Sequence, residues 1–159
     1  LPDGRAFTVY QTHLGYSDEE VRLLQLRAVR AWTVRDRNRP HIVMGDFNAI
    51  SLWDFEGREQ KLIDLSHHPK GSNLGGGEKG PRVVAQMLKS GYTDCYSLFS
   101  PPAQGSYIPA TDQPIRIDYI FASRPLAPHV TDCRIWREPS GDEASDHRPV
   151  IAEIEDTGW

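Results

Sequence analysis

The sequence predicts an α/β domain. Short apolar runs alternate or cluster like strands, two stretches carry helical start and stop signals, and polar clusters sit at the strand ends rather than inside the strands. A chain of 159 residues corresponds to one ordinary domain. It is long enough to bury a core without disulfide or metal staples. No internal repeat and no dividing linker appear.

Taken in order, Leu1 to Arg5 reads as a tight turn, and a chain that opens on a turn implies a strand before it. Phe7 to Thr12 alternates Phe7, Val9 and Gln11 against Thr8, Tyr10 and Thr12, which predicts a strand. Ser17 and Glu20 have the spacing of a capping box, with Asp18 and Glu19 suited to a helix N-terminus. Val21, Leu24, Ala28 and Ala31/Trp32 then recur at helical spacing and are expected to face the core. Arg39-Pro40 is the expected stop. His41 to Met44 reads as a buried strand. Residues 50–80 lack a clear pattern, and glycines 75, 76, 77 and 80 predict a mobile loop. A second helix is expected from Pro81 to Gly91. Ile117 to Ala122, Val130 to Trp136 and Val150 to Glu155 complete the strands.

Composition narrows the function. Apolar residues at 38% and charged residues at 25% exclude disorder, collagen and coiled coil. Lys and Arg number 18 against 22 Asp and Glu, a net charge of −4. That excludes a nucleic-acid module held by charge alone, but not a phosphate-handling enzyme whose metal brings positive charge. No apolar run approaches the roughly 18 residues of a membrane span. No signal peptide is visible. Cys95 and Cys133 are too far apart in sequence to form a metal-type pair, and two idle thiols are the favoured reading over a disulfide. Nothing fixes a compartment; the cytoplasm is favoured.

The chemistry gathers in four stretches: Thr12-His13-Leu14, Gly45-Asp46-Phe47-Asn48, Arg116-Ile117-Asp118-Tyr119 and Ser145-Asp146-His147-Arg148. Ligands collect at strand ends in α/β sheets, so the four stretches are expected to converge. Asp46, Asn48, Asp118 and Asp146 offer oxygen ligands for a hard cation such as Mg²⁺ or Mn²⁺. His13 and His147 offer proton transfer near neutral pH. Absence of a His-Glu-x-x-His run and of a Gly-x-Ser-x-Gly elbow disfavours a zinc protease and a serine hydrolase. Metal-assisted phosphoester hydrolysis suits what remains. Each stretch also has a plain structural reading: His13 as a satisfied histidine, residues 45–48 as an Asx turn, Asp118 as a buried partner of Arg116, and residues 145–147 as a loop.

Thr-His-Leu, Gly-Asp-Phe-Asn-Ala, Arg-Ile-Asp-Tyr-Ile-Phe and Ser-Asp-His-Arg-Pro-Val, in this order, resemble the endonuclease/exonuclease/phosphatase superfamily from about Phe7 to Ile154. The resemblance implies a DNase I-like four-layer α/β sandwich and Mg²⁺- or Mn²⁺-dependent phosphoester cleavage by activated-water attack on phosphorus. It also implies roles. Asp46 orients or deprotonates the attacking water; Asn48 holds a phosphate oxygen or the metal. His147 contacts the scissile phosphate and is oriented by Asp118. Asp146 is a metal ligand, and the expected metal set is Asp46, Asn48, Asp146 and His147. His13 contacts phosphate or assists the leaving group, while Arg116 and Tyr119 support the site. Asp46 and His147 compete for the role of base.

Thr-His-Leu followed by Arg22 and Gln25 resembles the small bacterial metal-dependent hydrolases and sphingomyelinase-like members, whereas abasic-site endonucleases differ at the His13 position. Nucleic acid, phospholipid head group and small phosphodiester remain open as substrates. Residues 51–80, with Trp53 and Phe55, are a candidate specificity loop or a plain surface loop. The family's first-strand asparagine and metal-binding glutamate have no counterpart here. Residues 1–159 are therefore expected to be the C-terminal part of one such domain. A missing N-terminal half, self-association of two copies, or a non-catalytic metal- or partner-binding remnant would each account for that.

Overall fold

The computed structural model describes residues 6–68, 71, 73–74, 79–101, 105–107 and 114–156. The turn expected at residues 1–5 lies outside them, as do residues 72 and 75–78 of the glycine-rich loop. The strands are β1 (Thr8–His13), β2 (His41–Asp46), β3 (Thr93–Asp94), β4 (Asp118–Ala122), β5 (Val130–Ile135) and β6 (Val150–Ile154). The helices are α1 (Glu19–Thr33), α2 (Glu59–His67), α3 (Val83–Lys89), α4 (Cys95–Phe99) and α5 (Pro139–Ala144).

One sheet has the order β1-β2-β4-β3, and a second pairs β5 with β6. β1 and β2 are parallel, so the chain needs a crossover between them, and α1 supplies it. β2 and β4 are antiparallel. Alternation along the strands divides the core. Val43, Phe47, Tyr119 and Phe121 meet Leu26 of α1 and Val83, Val84 and Met87 of α3. Ile42, Ile120 and Ala122, on the opposite face, meet Val130, Cys133 and Ile135 of β5, with Cys95 and Tyr96 of α4. Among the described residues this makes a layer of helices, the four-stranded sheet and the second sheet. Each fully buried Leu, Ile, Val or Phe here contributes roughly 1.5–3 kcal/mol over leaving it exposed. Both cysteines are free and buried, and burial pushes their thiols up, Cys95 to about 12.

α1 departs from the expectation twice. Its N-cap is Asp18, whose carboxylate accepts the N–H of Val21 at 2.8 Å, not a Ser17–Glu20 box. Its inner face is Glu19, Arg22, Leu26 and Thr33, while Leu24 is 64% and Trp32 60% exposed. The reason is a buried ion pair. Arg22 meets Glu19 at 2.9 Å and donates to the carbonyls of Tyr16 (3.2 Å) and Asn73. Glu19 in turn accepts the N–H groups of Arg82 (2.5 Å) and Val83 (3.0 Å) at the start of α3. Satisfied polar groups bury readily, so this face wins over the more apolar one. The exposed Trp32 ring is covered by the Arg35 guanidinium, 4.8 Å from its centroid.

α1 also stops at Thr33 and passes into a 3₁₀ turn, Val34–Asp36, short of Arg39-Pro40. Residues 50–80 are more regular than expected. They hold the 3₁₀ turn Leu52–Phe55 and all of α2, none of whose residues is buried. The second predicted helix begins at Val83 rather than Pro81. Gly91 follows it with φ of +86°, a left-handed position that suits glycine.

Candidate functional site

The site is one rung of the four-stranded sheet. His13 ends β1 opposite Asp46, and Asp46 ends β2 opposite Asp118, which starts β4. Partner residues in neighbouring strands share a face, so these three side chains lie in a row. On that face Ile42, Met44 and Ile120 pack toward the second sheet, and the surface turns from apolar to acidic at the next rung.

Close packing of the backbone holds the row. Leu14 donates its N–H to Asp46 O, and Phe47 donates its N–H to Ile117 O, both at 2.9 Å. Asn48 takes a left-handed φ of +46°, which asparagine tolerates better than most residues. Its backbone N–H donates to Asp46 Oδ1 at 2.7 Å, and its Nδ2 donates to Asp46 Oδ2 (3.2 Å) and Leu14 O (2.9 Å). Both amide protons are thus committed to fixing Asp46 and the segment after His13. Gln25 Oε1 accepts the N–H of Gly15 at 2.7 Å, so α1 also pins that segment.

His147 reaches the row from the segment before β6. Its Nδ1 lies 2.9 Å from Asp118 Oδ2. A carboxylate only accepts, so Nδ1 carries the proton and Nε2 is turned to other work. Ser106 Oγ donates to the same Asp118 oxygen at 2.8 Å, while accepting the N–H groups of Ile117 (3.2 Å) and Asp118 (3.1 Å). The Tyr107 ring lies 4.9 Å from the His147 ring, and Tyr107 bridges in backbone to both Ile115 and His147. His13 Nε2 lies 3.4 Å from Asp46 Oδ2, with its side chain 76% exposed. A cavity of about 310 Å³ lies beside Asp118 and His147, lined also by Gln11, Met44 and Pro149.

Burial pushes the Asp46 carboxyl above its ordinary value; the N–H of Asn48 opposes this and the charge of Asp118 adds to it. Two carboxylates side by side would be relieved by a cation. Among the described residues, ligand atoms of Asp46, Asp118 and His147 lie within 4.8 Å of one another. This donor set fits a hard divalent ion.

The structure thus brings His13, Asp46, Asn48, Asp118 and His147 together. Asp146 stands exposed and outside the three-residue ligand group. Arg116 is turned into the core and is not the partner of Asp118. It forks onto Asp94 (2.9 and 2.7 Å) and reaches Asp54 (3.1 Å), beneath the rings of Tyr119 and Tyr96. Trp53, from the candidate specificity loop, packs edge-on against Tyr96, and Phe55 is buried. Ser106 and Tyr107 escaped the sequence reading, because nothing in a Gly- and Pro-rich stretch marks which hydroxyl will meet an aspartate twelve residues on.

A model of the Endonuclease/Exonuclease/phosphatase family matches residues 2–147. No curated protein matches the chain. Solved structures do. An AP endonuclease from Archaeoglobus fulgidus superposes with a TM-score of 0.62 at 18% identity, over 92% of this chain and 61% of that one. A 3′ phosphatase from Neisseria, bound to a product DNA hairpin, gives 0.62 at 20%, over 86% and 52%. A mannosyl-6-phosphatase from Bacteroides thetaiotaomicron gives 0.52 at 21%, over 92% and 50%. The chain therefore spans about half to three fifths of the length of these structures.

Proposed function

This chain belongs to the endonuclease/exonuclease/phosphatase family, and from that premise we propose that the protein is a divalent-metal-dependent phosphoesterase. The observation that carries the reading is the convergence of Asp46, Asp118 and His147, from three separate parts of the sequence, on one cluster of ligand atoms. Mg²⁺ or Mn²⁺ held by Asp46 and Asp118, with Asp146 and Asn48 Oδ1 as further candidate ligands, would neutralise the phosphoryl oxygens.

The side chains divide the remaining work. Asp46, raised above an ordinary carboxyl by burial, accepts a proton from the attacking water. The water oxygen forms the new bond to phosphorus as the bond to the leaving oxygen breaks. His147, held through Nδ1 by Asp118, donates Nε2–H of its imidazolium form to a phosphoryl oxygen. His13, exposed at the edge of the row, gives a proton to the leaving oxygen. Asn48 acts through Asp46, since its amide protons are already engaged. Nucleic acid, a phospholipid head group and a small phosphoester all fit this chemistry. The matched structures include two that act on nucleic acid or its ends and one phosphatase of a sugar phosphate.

Hydrolysis of bis(p-nitrophenyl) phosphate by the whole protein tests the reading. Turnover should require Mg²⁺ or Mn²⁺ and fall by about 10²-fold or more in His147→Ala and Asp46→Asn. Absence of metal-dependent turnover, or turnover indifferent to both substitutions, would remove the catalytic reading and leave a metal- or partner-binding protein. A panel of DNA, sphingomyelin and phosphomonoesters then selects the substrate.

A further inference from the structure

A larger cavity, about 410 Å³, lies at the other end of β2 from the acidic row. His41 at the start of the strand lines it, and Asp46 at the end carries the site. The strand between them spans roughly 17 Å at about 3.3 Å per residue, so one small ligand cannot touch both. Three guanidinium-bearing residues line the cavity, Arg30, Arg37 and Arg124, and no carboxylate residue does. Among the described residues none of the three is ion-paired.

Like charges gathered round one hollow repel unless something negative sits between them. Two features of the fold supply part of that. α1 and α3 both end here, and each helix C-terminus carries at most about half a negative charge. Asp36 lies close enough to influence Tyr92, but its carboxylate is occupied by the Tyr10 hydroxyl at 2.5 Å and faces Arg39 at 3.8 Å. Two half charges against three full ones leave an excess of about two positive charges. The floor carries no carboxylate, and its polar groups are already paired. His41, 1% exposed, is fixed between Arg39 O on Nδ1 (2.9 Å) and the Tyr92 hydroxyl on Nε2 (2.8 Å). Ser123 Oγ accepts the N–H of His41. The cavity has the size of a small-molecule site, and planar guanidinium forks match phosphate oxygens.

We propose that this hollow binds a small phosphomonoester dianion, of nucleotide or sugar-phosphate size, gripped by Arg30, Arg37 and Arg124 and separate from the acidic row. The site is independent of the catalytic reading. A dianion matches the excess charge. A concave pocket suits a compact ligand better than a polymer, whose backbone needs a track.

Titration of the whole protein with AMP and with glucose 6-phosphate, followed by ¹H–¹⁵N spectra, tests the proposal. Saturable shifts should appear at the amides of Gly91, Tyr92 and Arg124. The double variant Arg30→Gln/Arg124→Gln should weaken binding about tenfold or more, since two charge-assisted contacts are lost. These exposed or half-buried arginines leave the fold intact, which a thermal melt verifies. Asp46→Asn should leave the shifts at this end unchanged. Shifts with AMP alone, with glucose 6-phosphate alone or with both support the site, and the pattern identifies the group attached to the phosphate. Equal shifts with adenosine or glucose would overturn the phosphate assignment. Shifts that survive the double variant, or none at all, would overturn the site. Tighter binding of single-stranded DNA than of AMP at these amides would overturn the small-ligand assignment.

Discussion

Asp118 shows how a single hydroxyl can govern a carboxylate–imidazole pair. Ser106 Oγ spends its lone pairs on two backbone N–H groups, so its proton has one destination, the Asp118 oxygen that also receives His147. Ser106→Ala should therefore lower turnover about tenfold by loosening the His147 ring, and Ser106→Thr should restore it. Parallel kcat measurements on the three proteins check this. Arg116 poses the opposite case, a charge whose work is purely internal. Its replacement by Leu leaves Asp54 and Asp94 buried without a cation and should cost about 3–5 kcal/mol in urea denaturation. Burial pushes Asp54 to about 6, against the opposing pull of Arg116. An unfolded aspartate releases its proton near pH 4, so between about pH 4 and 6 the folded state binds more protons. The Asp54 contribution to stability thus grows as pH falls through that window and fades above it. Asp54→Asn should flatten that slope when stability is measured from pH 4 to 8.

At the scale of elements, Gly45 carries the most direct test. Its φ is +135°, and a Cβ built there would stand 1.9 Å from the Thr12 carbonyl oxygen of β1. Gly45→Ala should destabilise the protein by about 2 kcal/mol or more and displace His13 from Asp46, seen as a lower Tm with weaker metal binding. β2 and β4 were legible in the sequence because they carry their buried residues in short apolar runs bounded by polar ones. The rung of site residues was legible because each member sits at a strand end. The inner face of α1 was not. Periodicity ranks residues by their own polarity, and Glu19 and Arg22 are buried through partners that lie as far off as Val83. α2 was invisible for a simpler reason: only Leu62 and Leu65, half-buried against the cluster around Phe55, mark its inner face, too few to show a helical period. The Arg116 cluster joins residues 62 and 22 positions apart, a distance at which sequence offers no pairing rule.

For the whole molecule, the proposed metal binding would be linked to folding. The three gathered ligand residues come from β2, β4 and the segment before β6, so an ion held by them ties the four-stranded sheet to the second one. A ligand bound only by the folded state stabilises it by about 2.7 kcal/mol at a hundred times its Kd. Thermal melts with Mg²⁺ or Mn²⁺ should therefore run higher than melts in EDTA, and Asp118→Asn should erase most of the difference. No helix among the described residues is long and apolar enough to cross a membrane. The outer surface still shows large apolar groups, including Leu24, Trp32 and Trp136. α1 is accordingly amphipathic in an unusual sense: an inner face that is ionic at its first turn and apolar at Leu23, Leu26 and Val29, and a partly apolar outer one.

The missing side chain at Gly45 has one more effect. β1 and β2 are parallel, so no tight turn indexes one against the other, and sliding by two residues would keep every side chain on its proper face. Such a slide would carry His13 about 7 Å from Asp46 while sparing the core. It would also carry Gly45, whose φ of +135° lays bare backbone against the Thr12 carbonyl, away from the one residue it faces. The glycine works as a keyway cut for one key. The alignment that seats it is the one that sets His13 beside Asp46, so an empty position enforces the spacing of two polar ones.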